Sequence, residues 1–402
     1  MRSGDVMAGR CEPLLAPKSI ALVGASSKPG SFGNDVVRVV RDAGYEGRIF
    51  PVNPNYEEIE GLRCYPNLGS LPEAPDLVVL AVAGTRVEAA FEDAIAAGAR
   101  AAVIFDSCYI EGDTEPFLVD RLKRRAKEAG IVVCGGNGMG FYNFANNTHV
   151  SFQHASKKPA GNISLIAHSG SVFVYLSGND PRYRFNLVVS AGQEIGASVA
   201  DYMEYALSLD STRVIALFLE TIRDPASFVQ ALQRAQEKDI PVVVTKVGRT
   251  EESARLAATH CGALAGNDAA YNALFERYGV IRVESLDELM AVALLLSQGR
   301  RARAGGLGSV VDSGGLRELL IDLADRHGVP FAKLSDETIG VLKQTLPHGL
   351  AAANPLDAAG PLKPEYGDVF RTCLKAIMDD LDTAVGTIEF DARDEFQYWP
   401  SL

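Results

Sequence analysis

The chain has 402 residues, enough for two or three domains of ordinary size. A hydrophobic content of 47% with 22% charged residues fits a water-soluble globular protein, and a net charge of −12 argues against broad binding to nucleic acid or an anionic membrane. No apolar run reaches bilayer-spanning length, the N-terminal MRSGDVMAGRCEPLLAPKS lacks a signal-peptide core, and six scattered cysteines never form C-x-x-C, so a cytoplasmic protein with reduced thiols is expected.

Residues 1–150 read as a first lobe. The apolar runs SIALVG, RIFPVNP, LVVLAVAG, AAVIFD and IVVCGGN alternate with the helical segments DVVRVVRDAG, VEAAFEDAIAAG and VDRLKRRAKEAG. This alternation predicts an α/β fold with a parallel, doubly wound sheet. The unbroken apolar runs predict strands covered on both faces. The first run leads into Gly24-Ala25-Ser26-Ser27-Lys28-Pro29-Gly30-Ser31-Phe32-Gly33 and then a helix. A Gly-rich turn at a helix start favours an anion. It is not a strict G-x-G-x-x-G. The second run ends in Val52-Asn53-Pro54, without the acid that usually binds a dinucleotide's ribose hydroxyls. With Lys28 in the loop, this favours a phosphorylated adenosine lacking a free ribose diol, as in coenzyme A. A loop that binds nothing is the alternative.

Residues 151–303 read as a second lobe, after the polar connector FYNFANNTHVSFQHASKKPAG. Its strands are NISLIAHSG, FNLVVSAGQ, VIALFLE, IPVVVTK and VIRVES, with SVADYMEYALS and ASFVQALQRAQEK as helices. Polar groups stand at strand ends, where open parallel sheets bind ligands. His168-Ser169-Gly170-Ser171 opens a helix and reads as an anion cradle or as an ordinary N-cap. Glu220 closes the third strand. Its carboxylate can hold a histidine ring in one tautomer, or it can pair with Arg223. The fourth strand ends at Lys246 and leads through GRTEESARLAATHCGALAGND to His260, which has small residues before it and Gly262 close behind. Either a reachable catalytic histidine or a surface histidine after a helix fits that setting.

Residues 304–402 follow a basic, Gly-rich linker. They show a third α/β pattern containing GSVVDSGG, Asn354-Pro355-Leu356-Asp357 and TAVGTIEF, with too few strands to complete a five-stranded lobe.

Together these motifs resemble the ADP-forming (NDP-forming) acyl-CoA synthetases, relatives of succinyl-CoA synthetase. The carrying residues are the G-A-S-x-x-P-G-x-x-G loop, V-N-P and Gly135-Gly136-Asn137-Gly138-Met139-Gly140. In the second lobe they are S-G-S, L-E-x-I-R-D and K-x-G-R…H-x-G-x-x-A-G-x-D. The resemblance implies a Rossmann-like CoA-binding lobe followed by flavodoxin-like lobes, the third incomplete. It implies CoA contacts from Gly24, Ala25, Ser26, Ser27, Lys28, Pro29, Gly30, Gly33, Asn53, Pro54, Val82, Ala83, Asn137 and Gly138. Ser169, Gly170 and Ser171 would cradle phosphate. His260 would be phosphorylated, with Glu220 holding its ring. Gly136 replaces the family's usual proline, which predicts a more flexible loop. Cys261 replaces a hydroxyl residue.

The implied reaction joins a carboxylic acid to CoA with ATP cleavage to ADP and phosphate, through an acyl phosphate and a phosphohistidine. No ATP-grasp pattern is present, so ATP/ADP and magnesium are expected on a domain or subunit outside this chain, in a homo- or hetero-oligomer. No metal site is expected within it. A member acting on an aromatic or longer acid is one alternative. A CoA-sensing or scaffold subunit without chemistry is another, distinguished by whether His260 becomes phosphorylated.

Overall fold

The computed structural model describes residues 9–155, 159–261, 267–358 and 366–389. The chain forms two units, Met1–Gly299 and Arg300–Leu402.

The first unit opens with a five-stranded parallel sheet. Its elements are β1 (Ser19–Val23), α1 (Phe32–Asp42), β2 (Arg48–Val52), β3 (Leu77–Leu80), α2 (Gly84–Ala96), β4 (Ala101–Ile104), α3 (Leu118–Ala129) and β5 (Val132–Gly135). Every residue of β3, β4 and β5 is buried, as the unbroken apolar runs predict. Helix α1 buries Val36, Val37, Val39 and Val40, each fully buried aliphatic side chain contributing roughly 1.5–3 kcal/mol. Helix α3 stops at Gly130, whose left-handed φ of 67° closes the last turn. The strand order is β2-β1-β3-β4-β5, so the winding reverses between β1 and β3. That reversal opens a crevice at the strands' carboxyl ends.

A second sheet repeats the plan. Its strands are β6 (Gly140–Asn143), β7 (Thr148–Val150), β8 (Ile163–Ala167), β9 (Phe185–Ser190), β10 (Val214–Leu219), β11 (Val242–Lys246) and β12 (Ile281–Val283). The helices are α4 (Gly170–Gly178), α5 (Val199–Ser208), α6 (Pro225–Glu237), α7 (Glu251–Cys261), α8 (Asp268–Arg277) and α9 (Leu286–Leu296). The order is β12-β11-β10-β8-β9-β6-β7, with its own reversal between β8 and β10. The hairpin β6–β7 pairs antiparallel with β9. Residues 140–150, placed in the first lobe by composition, thus belong to the second sheet.

The two lobes share structure. Main-chain N–H groups of Gln193, Ile195 and Ala197 donate to the carbonyls of Gly136, Gly135 and Val133, each at 2.8 Å, along the edge of β5. The expected flexibility of the loop at Gly136 is therefore opposed by bonds on both sides of it. A Cβ at Gly136 would sit 2.9 Å from Asp106 O and Cys108 Sγ, so the close packing needs glycine there. One hydrophobic cluster runs through both lobes, from Ile20 and Leu22 to Val189 and Leu217.

The second unit contains β13 (Gly306–Val311), α10 (Gly314–His327), α11 (Asp336–Thr345), β14 (Leu356–Asp357), α12 (Tyr366–Asp379) and β15 (Thr383–Glu389). Among the described residues its sheet has three parallel strands, β14-β13-β15. Asn354 ties its loop to β13: Nδ2 donates to Leu307 O at 2.8 Å, and Oδ1 accepts from Ser309 N at 2.9 Å. Among the described residues no helix is long and apolar enough to cross a membrane.

Candidate functional site

Two of the glycines set the loop after β1. Gly24 has φ +86°, and a Cβ there would lie 2.3 Å from Ala81 O at the end of β3. A Cβ at Gly33 would lie 2.1 Å from Gly24 O. The loop is thus pressed between β3 and the start of α1, closer than any side chain allows. Side chains hold its rear. Asn53 Nδ2 donates to Ala25 O at 2.7 Å, and Asn34 Nδ2 donates to Ser26 O at 3.0 Å and to Glu60 Oε1 at 2.8 Å. Ser26 Oγ accepts from Lys28 N, and Ser31 Oγ donates to Lys28 O. Ser27, Lys28, Pro29 and Gly30 are exposed, as is Pro54 beyond β2. No side chain caps α1 or α2; the amides of Asn34, Asp35 and Arg86 bond the N-cap carbonyls of Ser31 and Ala83, and the positive ends of the two helices beside the loop and beside Ala83 favour an anion. These features fit the diphosphate of a nucleotide such as coenzyme A.

Across the crevice, Asn137 has a left-handed φ of 51° and donates its N–H to Asp106 O at 2.8 Å. Gly138 is buried, and the following Met139 N donates to Ser190 Oγ at 3.0 Å.

The second reversal gathers charged groups. His168 follows β8 and is 4% exposed; its Nδ1 accepts the main-chain N–H of Glu220 at 3.1 Å. Its Nε2 lies 3.5 Å from Glu194 Oε2. Glu194 is itself buried. It accepts from Arg223 Nη1 at 3.0 Å and from Val199 N at 2.5 Å. Burial alone would raise the Glu194 carboxyl. His168, Arg223 and the Val199 amide outweigh it and hold the pKa below its usual value. Glu220 is 9% exposed, and its carbonyl accepts from Lys246 Nζ at 2.8 Å. The buried Lys246 ammonium also bonds Val247 O and lies 4.5 Å from the Tyr271 ring centroid. Ser169 caps α4, its Oγ accepting from Val172 N at 3.4 Å, while Ser171 is exposed.

His260 falls in α7, which runs on to Cys261 rather than ending before it. Its side chain and residues 262–266 lie outside the described residues. Sequence reasoning missed Asn34, Glu194 and the place of His168. Asn34 stands directly after Gly33, and Glu194 follows Gly192-Gln193, so the only signal was a polar residue beside a glycine.

Both reversals open into one cavity of about 960 Å³. Ala81, Val82 and Ala83 line it from the first lobe, with Asn137 and Gly138 beside them. His168, Ser169, Gly170 and Ser171 line it from the second. Among the described residues no cluster of three or more His, Cys, Asp or Glu side chains is arranged for a metal ion.

Residues 18–143 match the CoA-binding domain family, and residues 160–296 match the succinyl-CoA ligase-like flavodoxin domain. The chain is 33% identical to an ADP-forming acetate–CoA ligase I of Archaeoglobus fulgidus, over 92% of this chain and 53% of the relative. It is 29% identical to the alpha subunit of ADP-forming acetate–CoA ligase II of Pyrococcus furiosus, over 90% of this chain and 79% of that subunit. A solved dinucleotide-forming acetyl-coenzyme A synthetase 1 of Ca. Korarchaeum cryptofilum, in complex with phosphate and ADP, superposes with a TM-score of 0.86. It is 27% identical, with 96% of this chain and 82% of that one covered. The chain spans about half the length of the first of these relatives. It belongs to the ADP-forming acyl-CoA synthetase family, of which it carries the CoA-binding domain and the succinyl-CoA ligase-like flavodoxin domain.

Proposed function

We propose that this chain is the CoA-binding and phosphohistidine part of an ADP-forming acyl-CoA synthetase. The overall reaction is carboxylic acid, CoA and ATP giving acyl-CoA, ADP and phosphate. The observation that carries the reading is the shared cavity: Phe32 at the start of α1, the Val82–Ala83 strand end and Asn137–Gly138 line the same space as the Ser169-Gly170-Ser171 helix start, while the Gly24–Gly30 loop is not part of that lining. A thiol held by one lobe and a phosphoryl group held by the other would meet there.

The roles in this reading rest on the motif resemblance. Gly24 to Gly30 and Gly33, backed by Asn53, hold the CoA diphosphate against α1. Pro54 borders that loop, and Val82, Ala83, Asn137 and Gly138 flank the pantetheine. Ser169 to Ser171 hold phosphate. His260 takes the phosphoryl group, and Glu220 orients its ring. ATP, ADP and magnesium belong to an ATP-grasp domain or subunit outside the chain, and the P. furiosus alpha subunit is a precedent for a divided enzyme. A cytoplasmic setting agrees with the free, buried thiols of Cys11, Cys64, Cys108, Cys134 and Cys373.

The test uses the chain alone, run in reverse. Acyl-CoA and labelled phosphate would give acyl phosphate and CoA. The acyl phosphate would pass its phosphoryl group to His260, releasing the carboxylate. Label in an acid-labile, base-stable form at His260 is the expected result. CoA binding without label from any acyl-CoA in a panel would make the chain a CoA-binding scaffold.

A further inference from the structure

The shared cavity carries more aromatic wall than a two-carbon acid can use. Phe32, Phe105 and Phe152 form a closed set of three rings. Their centroids are 5.5 Å apart for Phe32–Phe105, 4.9 Å for Phe32–Phe152 and 5.5 Å for Phe105–Phe152, and two of the three contacts are edge-on. The rings come from separate places: the start of α1, the end of β4 and the segment after β7. All three line the cavity. Phe32 remains 40% exposed, so its face is not spent on the core.

The cradle side is apolar as well. Val174 and Tyr175 stand one turn into α4 and line the same cavity, and Tyr175 is 53% exposed. Met139 closes on the helix start: a Cβ at Gly170 would lie 2.7 Å from Met139 Cγ.

Chemistry places the acyl group among these residues. In an acyl phosphate one oxygen separates phosphorus from the carbonyl carbon. With the phosphoryl group at the start of α4, the acyl substituent must lie within a few ångströms of that turn. Pantetheine is narrow and carries two amides, which suits the Val82–Ala83 strand end. It leaves the Val174–Tyr175 face unexplained. A methyl group would leave these rings wet. An aryl group would cover them and meet the edge-on geometry that aromatic pairs prefer.

We propose that the carboxylic acid this chain handles is aromatic, an arylacetate or a close relative, with its ring between the Phe32–Phe105–Phe152 set and Tyr175. The inference rests on the reading of the chain as part of an acyl-CoA synthetase.

Calorimetry on the full chain with CoA, acetyl-CoA, octanoyl-CoA and phenylacetyl-CoA tests it without an ATP-binding partner. Phenylacetyl-CoA should bind at least about tenfold tighter than both acetyl-CoA and octanoyl-CoA. Tyr175→Ala, at an exposed position where folding is not at risk, and Phe152→Leu should each shrink the preference over acetyl-CoA. A preference below tenfold would overturn the inference, as would one that neither substitution changes. Octanoyl-CoA binding as tightly as phenylacetyl-CoA would also overturn it, since the wall would then be merely greasy. Failure of CoA itself to bind would sink the underlying reading of the first lobe. Tight CoA binding without aryl preference would sink only this inference.

Discussion

The main-chain N–H of Glu220 donates to Nδ1 of His168 at 3.1 Å, across the reversal between β8 and β10. An Nδ1 that accepts carries no proton, so the neutral ring carries its proton on Nε2, facing Glu194 Oε2. His168 thus anchors the Glu220 strand end through Nδ1, while its Nε2 faces the buried Glu194–Arg223 pair at 3.5 Å without a hydrogen bond. His168→Ala would leave the Glu220 amide buried without this partner, at a cost of roughly 1–3 kcal/mol. His168→Asn, whose side-chain oxygen can accept in the place of Nδ1, should recover part of the loss. Urea unfolding of the three proteins measures this. Equal stability of the Ala and Asn variants would show that the bond is not the cause.

Gly33→Ala should weaken CoA binding at least about tenfold and cost roughly 1–3 kcal/mol of stability, because the new Cβ meets the Gly24 carbonyl at 2.1 Å and backbone must move. Gly30→Ala is the control. Nothing lies within 4 Å of its Cβ, although its φ of +71° makes alanine strained. It should lose stability with a smaller effect on CoA. Comparable losses of affinity would show that the close packing at Gly33 is not what sets CoA affinity.

Lys28→Ala should weaken CoA more than dephospho-CoA. The side chain is exposed at the loop tip, while the loop's own bonds at Lys28 use only main-chain atoms. Its loss therefore removes charge without undoing the loop. Calorimetry with both ligands and with NAD decides the matter. Equal losses would put Lys28 on the diphosphate, and tight NAD binding with none of CoA would reject the assignment of the lobe.

The layered α/β plan was legible because strands buried on both faces must be apolar throughout, and β3, β4 and β5 are. The hairpin Gly140–Val150 was misplaced because its pairing with β9 joins residues far apart in sequence, and no local pattern announces that. At the first crevice, the sequence shows Asn53 as a missing acid and, by resemblance, as a CoA contact, but not as a brace for the loop. Its amide in fact bonds Ala25 O and holds the loop. At the second, the choice of acid beside Arg223 was not legible. Arg223 bonds Glu194, which arrives from the loop after β9. Before His260 the sequence shows a run of small residues, compatible with a helix that ends ahead of the histidine. The run EESARLAA favours helix strongly enough to carry α7 through His260.

Acid should unfold this protein partly through His149 on β7. Burial first, and the like charge of His154 second, push its imidazole down to about 4 from an ordinary 6.5. Its Nε2 is buried without a hydrogen-bond partner, and the ring packs on Tyr142 and Phe144 at 5.2 and 4.8 Å. Because the folded pKa is depressed, the unfolded chain binds the proton first. Stability is complete above the unfolded pKa and falls as pH drops from 6.5 towards 4, by roughly 3 kcal/mol in all. His149→Phe keeps the aromatic packing and removes the titration. Unfolding free energies measured between those pH values should fall less steeply in the variant, and parallel curves would show that His149 carries none of the effect.

His260→Ala should abolish phosphorylation of the chain by acyl-CoA and phosphate while leaving CoA affinity intact, because the CoA loop follows β1 in the other lobe. Glu220→Gln should slow labelling by roughly 10²–10⁴-fold, since an amide orients the ring less firmly and does not stabilise the charge that develops on it. The substitution keeps the main chain, so the Glu220 N–H bond to His168 and the Glu220 carbonyl bond to Lys246 should survive it. The variant should therefore unfold at nearly the wild-type denaturant concentration, which separates a catalytic defect from a structural one. With ATP and magnesium alone the chain should take up no label, and adding an ATP-grasp partner should restore it. Label on Ser169 or Ser171 with His260 unmodified would overturn the phosphohistidine assignment and make the start of α4 the phosphorylated element.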